Sequence, residues 1–199
     1  MNDGILNITD SIQNELSKAT DNPVALLIQR CIDGDQAAQR QMFMQLAPRM
    51  KVVCLRYAGD PDLAKDFMQE GFIRFFEKLK QFKGNSSIET WATRLFMNNC
   101  ISLLNKDKKR RLSQESWDDN IDVEDDTELD ELPYTEAYLL QKITELPDGY
   151  RTVLNLYVFE QQSHQEIADL LGISVNTSKT QFFKAKKALK LLLEEGRTS

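Results

Sequence analysis

Between Val175 and Leu193 the chain carries Lys179, Lys184, Lys186, Lys187 and Lys190 and no acidic residue. A helix charged in this way can neutralise phosphates along a duplex. Asn176, Thr177, Thr180 and Gln181 on its first turns offer donors and acceptors to base edges. The residues upstream suit that chemistry. Ser163 and Glu166 have the spacing of a capping box, ahead of Ile167, Ala168, Leu170 and Leu171. Gly172 fits a left-handed helix end, and Ser174 is placed to cap the helix that follows. Val175, Phe182, Ala185, Leu189 and Leu192 recur near the 3.6-residue period and give that helix an apolar stripe. Residues 163–193 therefore read as a helix-turn-helix whose second helix is the right size for the major groove. This segment alone does not distinguish that reading from two bundle helices with a solvated lysine face.

The elements that must position this stretch follow from composition. The chain has 199 residues, 41% of them hydrophobic, with 8 Gly and 5 Pro. Helical periodicity recurs and strand-like alternation is scarce, so the expected class is all-α. The net charge of −6 looks wrong for a nucleic-acid binder until it is located. Eleven acids and no Lys or Arg lie between Ser113 and Glu136, and without them the remainder is at +5. Cys31, Cys54 and Cys100 form no CxxC pair and His164 is the only histidine, so no metal or cofactor is expected. No apolar run reaches the ~18 residues of a membrane span. The N-terminus has neither a basic nor an apolar signal region, and a cytoplasmic, non-membrane protein is expected.

In order, residues 1–22 read as an N-terminal extension. Residues 23–111 read as a helical domain. Asp21-Asn22-Pro23 opens its first helix, and a second runs from Asp35 to about Tyr57 with a kink or split at Pro48. Asp60-Pro61 starts a third, with Leu63, Phe67, Met68, Phe72, Phe75, Phe76 and Leu79 as its apolar side. After the loop Lys83 to Ser87, a capping box of Ser86 and Glu89 starts the fourth helix. That helix ends in the basic run Lys106 to Arg111. Residues 112–132 lose all apolar period and read as an acidic flexible linker. Residues 133–199 read as a second small helical domain that contains the helix-turn-helix.

Read together, the chain resembles a bacterial RNA polymerase sigma factor of the extracytoplasmic-function (ECF) class, over nearly all of Pro23 to Leu193. Asp62 to Phe72 (DLAKDFMQEGF) resembles the family's polymerase-docking helix. Trp91, Arg94 and Asn98 resemble its −10-reading helix. The C-terminal signature of region four is resembled by Leu146-Pro147, Tyr150-Arg151, Val153-Leu154, Glu166-Ile167-Ala168 and Gly172-Ile173-Ser174 with Thr177 and Lys179. The chain departs from the pattern at Ser178, where the family usually has an apolar residue, and at Gln181, where it has a basic one. Met97, Ser102 and Asn105 also depart from common Arg, Asp and Arg.

The resemblance implies a specificity subunit, not an enzyme, that directs core RNA polymerase to promoters. It implies polymerase docking through Asp66, Gln69, Glu70 and Arg74. It implies −35 contact through Asn176, Thr177, Lys179, Thr180, Gln181 and Lys184. Melting and reading of the −10 element fall to Lys83, Asn85, Ser86, Arg94, Asn98, Lys106, Lys108 and Lys109, with a flipped base held by the loop Lys83 to Ser87. Trp91 is expected mainly to pack against that loop. The implied partners are core RNA polymerase, promoter DNA and an anti-sigma factor.

Overall fold

Short polar side chains set where the helices begin. In the computed structural model, which describes residues 22–110 and 134–195, Asn22 accepts hydrogen bonds from the amides of Val24 and Ala25 and starts α1 (Pro23–Ile32). Asp35 caps α2 (Gln36–Ala58), and Asp60 with Pro61 caps α3 (Pro61–Lys78). A 3-10 turn (Leu79–Gln81) leads to the loop before α4 (Ile88–Arg110). Thr135 caps α5 (Glu136–Thr144). α6 (Asp148–Leu154) runs on into a π turn (Asn155–Phe159), followed by α7 (His164–Leu171) and α8 (Val175–Glu195). Among the described residues there is no strand, as the all-α reading expects. None of the described helices is long and apolar enough to cross a membrane. The extension before Asn22 and the acidic stretch with Trp117 and Arg111 lie outside the described residues.

Two local expectations are corrected. The split at Pro48 does not occur, because α2 is one helix from Gln36 to Ala58. Proline there removes only the bond to the Met44 carbonyl, and Met44 is an exposed residue. Leu46 and Met50, buried on the opposite side, hold the helix against its neighbours. The cap of α4 is Ser87 rather than Ser86: the Ser87 hydroxyl accepts from the Thr90 amide at 3.1 Å, whereas Ser86 Oγ donates to the Ser87 carbonyl.

The core begins with Ala38, Met42, Leu46, Met50, Cys54 and Tyr57 of α2, all buried at helical spacing. α3 adds Phe67, Phe72 and Phe75, and α4 adds Ala92, Phe96 and Cys100. Each Met, Leu and Phe among them contributes roughly 1.5–3 kcal/mol by leaving water. Gly71 allows the closest approach, because a Cβ there would lie 2.4 Å from Phe96 Cε1. A second cluster joins Ile143, Leu146 and Leu154 to Ala185, Leu189 and Leu193. The two halves do not stand apart, since Val153, Leu156 and Ile167 of the second belong to the core of the first. The three cysteines are free and buried.

Candidate nucleic-acid interface

The helix-turn-helix is built as its sequence pattern requires. The Ser163 amide donates to Glu166 Oε2 at 2.8 Å while the Glu166 amide donates to Ser163 Oγ at 3.3 Å, closing the capping box. Gly172 sits at φ 67°, the left-handed end of α7. Ser174 Oγ accepts from the Thr177 amide at 2.9 Å and starts α8. Ser178, the departure from the family's apolar residue, is fully buried, and its hydroxyl lies 2.9 Å from His164 Nδ1. That bond satisfies a hydroxyl which would otherwise be a cost in the core. His164 is also stacked 4.7 Å from the Tyr157 ring.

Burial, with a smaller push from Lys179, holds the His164 pKa below its usual value. The folded form therefore binds its proton less readily than the unfolded chain. Stability is expected to be undiminished above about pH 6.5 and to fall as pH drops from there through the folded pKa. Thermal denaturation from pH 7.5 to 5 measures this. His164→Gln, which keeps a polar partner for Ser178, is expected to flatten that part of the profile.

The six residues expected to meet the −35 element divide into two groups. Asn176 and Lys179 are exposed and Lys184 is half-buried. Thr177, Thr180 and Gln181 are 5–6% exposed, and Gln181 Oε1 has no hydrogen-bond partner. In this conformation half of the reading set is inaccessible.

On the −10 side, Lys83 and Asn85 are exposed and Ser86 is half-buried, in a loop turned by Gly84 at φ 74°. Trp91 is half-buried, with its ring 5.5 Å from both Phe75 and Phe82, which ties the base of this loop to the core. Arg94, Asn98, Ser102 and Asn105 are exposed along one face of α4, with Lys106 beside them. Lys108 and Lys109 lie on the last turn, and their side chains are outside the described residues. Asn98, Ile101, Ser102, Asn105 and Lys106 line a groove of about 620 Å³ whose other wall is Leu170 of α7. Met97, at another position of departure, is buried and so packs rather than reads.

The α3 face bears Asp66 and Gln69 exposed, and Glu70 and Arg74 paired at 3.0 Å. Sequence reading missed Ile73, which is 49% exposed among Asp66, Gln69, Glu70 and Glu77. An apolar side chain ringed by polar ones is the arrangement of an interface centre. Its signal lay in the spacing: 66, 69, 70, 73 and 77 share one helical face.

Also missed was a seam between the halves. The Arg151 guanidinium, 3% exposed, donates to the carbonyls of Tyr57 at 3.2 Å and Ala58 at 3.1 Å, at the end of α2. It donates as well to the Leu146 and Thr144 carbonyls and to Asp148. Asn155 donates to the Arg56 carbonyl at 2.8 Å. Arg56 pairs with Glu160 at 3.3 Å and lies 4.0 Å above the Phe159 ring. The last carbonyls of α2, which no residue of its own helix can satisfy, are thus capped from the other half of the chain.

Residues 42–110 match the family described as Sigma-70 region 2, and residues 129–189 the family described as Sigma-70, region 4. The ECF RNA polymerase sigma factor SigW of Bacillus subtilis is 30% identical over 175 residues, 81% of this chain and 92% of that protein. The RNA polymerase sigma-H factor of Pseudomonas aeruginosa is 27% identical over 178 residues, 84% of this chain and 92% of that one. Among solved structures, the sigma factor RpoE of Bartonella quintana in complex with the anti-sigma factor NepR has a TM-score of 0.47 at 19% identity, covering 78% of this chain and 96% of that chain.

Proposed function

This chain belongs to the extracytoplasmic-function class of sigma-70 factors and directs RNA polymerase to promoters, and we propose a division of labour among its surfaces. Residues 23–111 form the unit that docks on polymerase and opens the −10 element. Residues 133–199 form the unit that binds the −35 element, and residues 112–132 join them. The observation that carries this is the pair of reading faces. One is the basic helix α8 behind a complete capping box and Gly172. The other is the line of Arg94, Asn98 and Lys106 on α4.

On the −35 side, Lys179 and Lys184 hold phosphates, while Asn176, Thr177, Thr180 and Gln181 face base edges once accessible. On the −10 side, Lys83, Asn85 and Ser86 receive an unstacked base. Arg94, Asn98, Lys106, Lys108 and Lys109 guide the single strand. Asp66, Gln69, Glu70 and Arg74 form the polar rim of the polymerase contact, with Ile73 at its centre. The chain supplies recognition and melting, and nucleotide addition belongs to the polymerase. An anti-sigma factor is its proposed negative partner.

The deciding experiment is transcription in vitro with purified core polymerase. Promoter-specific initiation that depends on this chain is the expected result, and its absence together with absence of core binding sinks the reading. A second measurement tests the phosphate anchors. Lys179→Ala with Lys184→Ala is expected to weaken −35 duplex binding and to lower the salt slope, −dlogK/dlog[salt], by about 2. An unchanged slope removes both lysines from the contact set.

A further inference from the structure

A groove of about 470 Å³ runs between α2 and α5, with Phe159 of the π turn and Thr93 of α4 completing its walls. Val52 and Phe159 in its lining are 39% and 41% exposed, and Leu139 and Leu140 of α5 lie beside them. Exposed apolar side chains gathered around a cleft of that size make a binding surface. The surface is also charged. Burial raises the pKa of the Glu160 carboxyl, and Arg56, Arg49 and Arg94 pull it back down. These three guanidiniums face two acids, Glu160 and Glu136, which leaves the groove and its rim with a surplus of positive charge.

The described chain begins level with this groove. α1 and α2 are joined by residues 33–35 alone and so lie antiparallel. Gln39 Nε2 donates to the Cys31 carbonyl at 3.1 Å, which fixes their register. Nine residues back from Cys31 is Asn22, and nine on from Gln39 is Pro48. Both helices rise equally per residue, so Asn22 is level with Pro48, the first residue of α2 to line the groove. A helix is about 10–12 Å across, a distance that about four extended residues span. Lys18 to Asp21 therefore suffice to cross α2. The residues ahead of them include Ile5, Ile8, Ile12 and Leu16, at the spacing of one helical face. Residues 1–21 carry Asp3, Asp10, Glu15 and Asp21 against Lys18 alone, a charge opposite to that of the groove.

We propose that the groove between α2 and α5 is the docking site of the chain's own N-terminal extension, residues 1–21, with Ile8, Ile12 and Leu16 set against Val52, Leu139, Leu140 and Phe159. Glu15 flanks that apolar stripe and meets the guanidiniums of the rim. The apolar contact supplies most of the attraction and the charges set its direction, since exposed ion pairs contribute little. The occupant is intramolecular because of the tether. A segment joined through about four residues meets its site at an effective concentration of millimolar order, which a separate partner of the same chemistry has to overcome. The docking holds whichever promoter contacts the two halves make, so it goes beyond the functional reading above and does not rest on it.

The test uses the full chain, whose native cysteines are buried. Ile12→Cys is coupled to a benzophenone maleimide and irradiated, and the cross-linked peptides are mapped by mass spectrometry. Cross-links within one chain to the groove, at Pro48 to Arg56 of α2, Leu139 to Ile143 of α5 or Phe159, are the expected result. Cross-links between two chains would make a second copy the occupant and overturn the proposal, as would cross-links confined to other surfaces. The second measurement is the rate at which a water-soluble maleimide modifies Val52→Cys, a change that keeps a small apolar side chain in the groove. Adding Ile8→Asp and Leu16→Asp is expected to speed that reaction by roughly 10-fold or more. The same pair is expected to leave the labelling of Leu191→Cys, exposed on α8, unchanged. Glu15→Lys is expected to give a smaller acceleration that fades at high salt. Circular dichroism follows folding. A folded Ile8→Asp, Leu16→Asp chain with an unchanged rate at Val52→Cys overturns the docking.

Discussion

Methionine in place of Arg151 is expected to lower the free energy of unfolding by about 3–5 kcal/mol, read from urea denaturation of the full chain. The side chains are of similar length, so the loss is one of hydrogen bonding more than volume. Removing the guanidinium strips partners from the carbonyls of Tyr57, Ala58 and Leu146. A buried acceptor left without a partner costs roughly 1–3 kcal/mol. The sum stays near the low end because the seam can part and admit water to Tyr57 and Ala58. Arg151→Lys is expected to recover little, since one ammonium cannot reproduce a planar fork that meets carbonyls on both sides. Asn155→Ala, which frees only the Arg56 carbonyl, is expected to cost less than half as much. Equal losses for Asn155→Ala and Arg151→Met would show that the guanidinium is not the principal fastening.

The second large effect is expected on the docking face. Ile73→Asp should weaken binding to core polymerase by roughly 30-fold or more, the size of an interface centre worth 2 kcal/mol or above. Asp66→Ala, on the rim, should change it less than about 5-fold and act mainly through the salt dependence of association. Neither change should lower thermal stability noticeably, because both side chains are solvated in the free chain. Competition against a second sigma factor for a limiting amount of core measures both. If the two variants behave alike, this face is a charged patch without an apolar centre.

Much of the architecture was legible in the chain because it is written in local signals. Asn22-Pro23, Asp35, Asp60-Pro61, Ser163 with Glu166, Gly172 and Ser174 each mark a helix end through contacts within a few residues. The apolar periods of α2, α3 and α4 follow from the same short range. Ser86 and Ser87 show the limit: two adjacent hydroxyls serve equally as caps by pattern, and the turn geometry selects the second. Pro48 shows another, since the propensity against proline is overruled by tertiary packing on either side of it.

The candidate sites were legible as residue types and not as accessibilities. Lys179, Arg94 and Asn98, expected from sequence to contact DNA, are exposed. Thr180 and Gln181, equally plausible by sequence, are buried in this conformation. Nothing in a helical period reports which of its polar positions the neighbouring helices cover. Arg151 was visible as part of a motif, but its partners lie more than 90 residues away. Ser178 looked like a defect in the helix-turn-helix pattern until His164, 14 residues upstream, supplied its hydrogen bond.

The seam also bears on the order in which the chain acquires its structure. Helices α2 to α4 and α5 to α8 make their own contacts over short loops, whose closure is entropically cheap and fast. Arg151 reaches Tyr57 and Ala58 across 93–94 residues. A fastening of that sequence separation is expected to form after the local helix contacts, on the native side of the folding barrier. A bond formed after the barrier has little influence on how quickly the chain folds, and governs instead how long it takes to come apart.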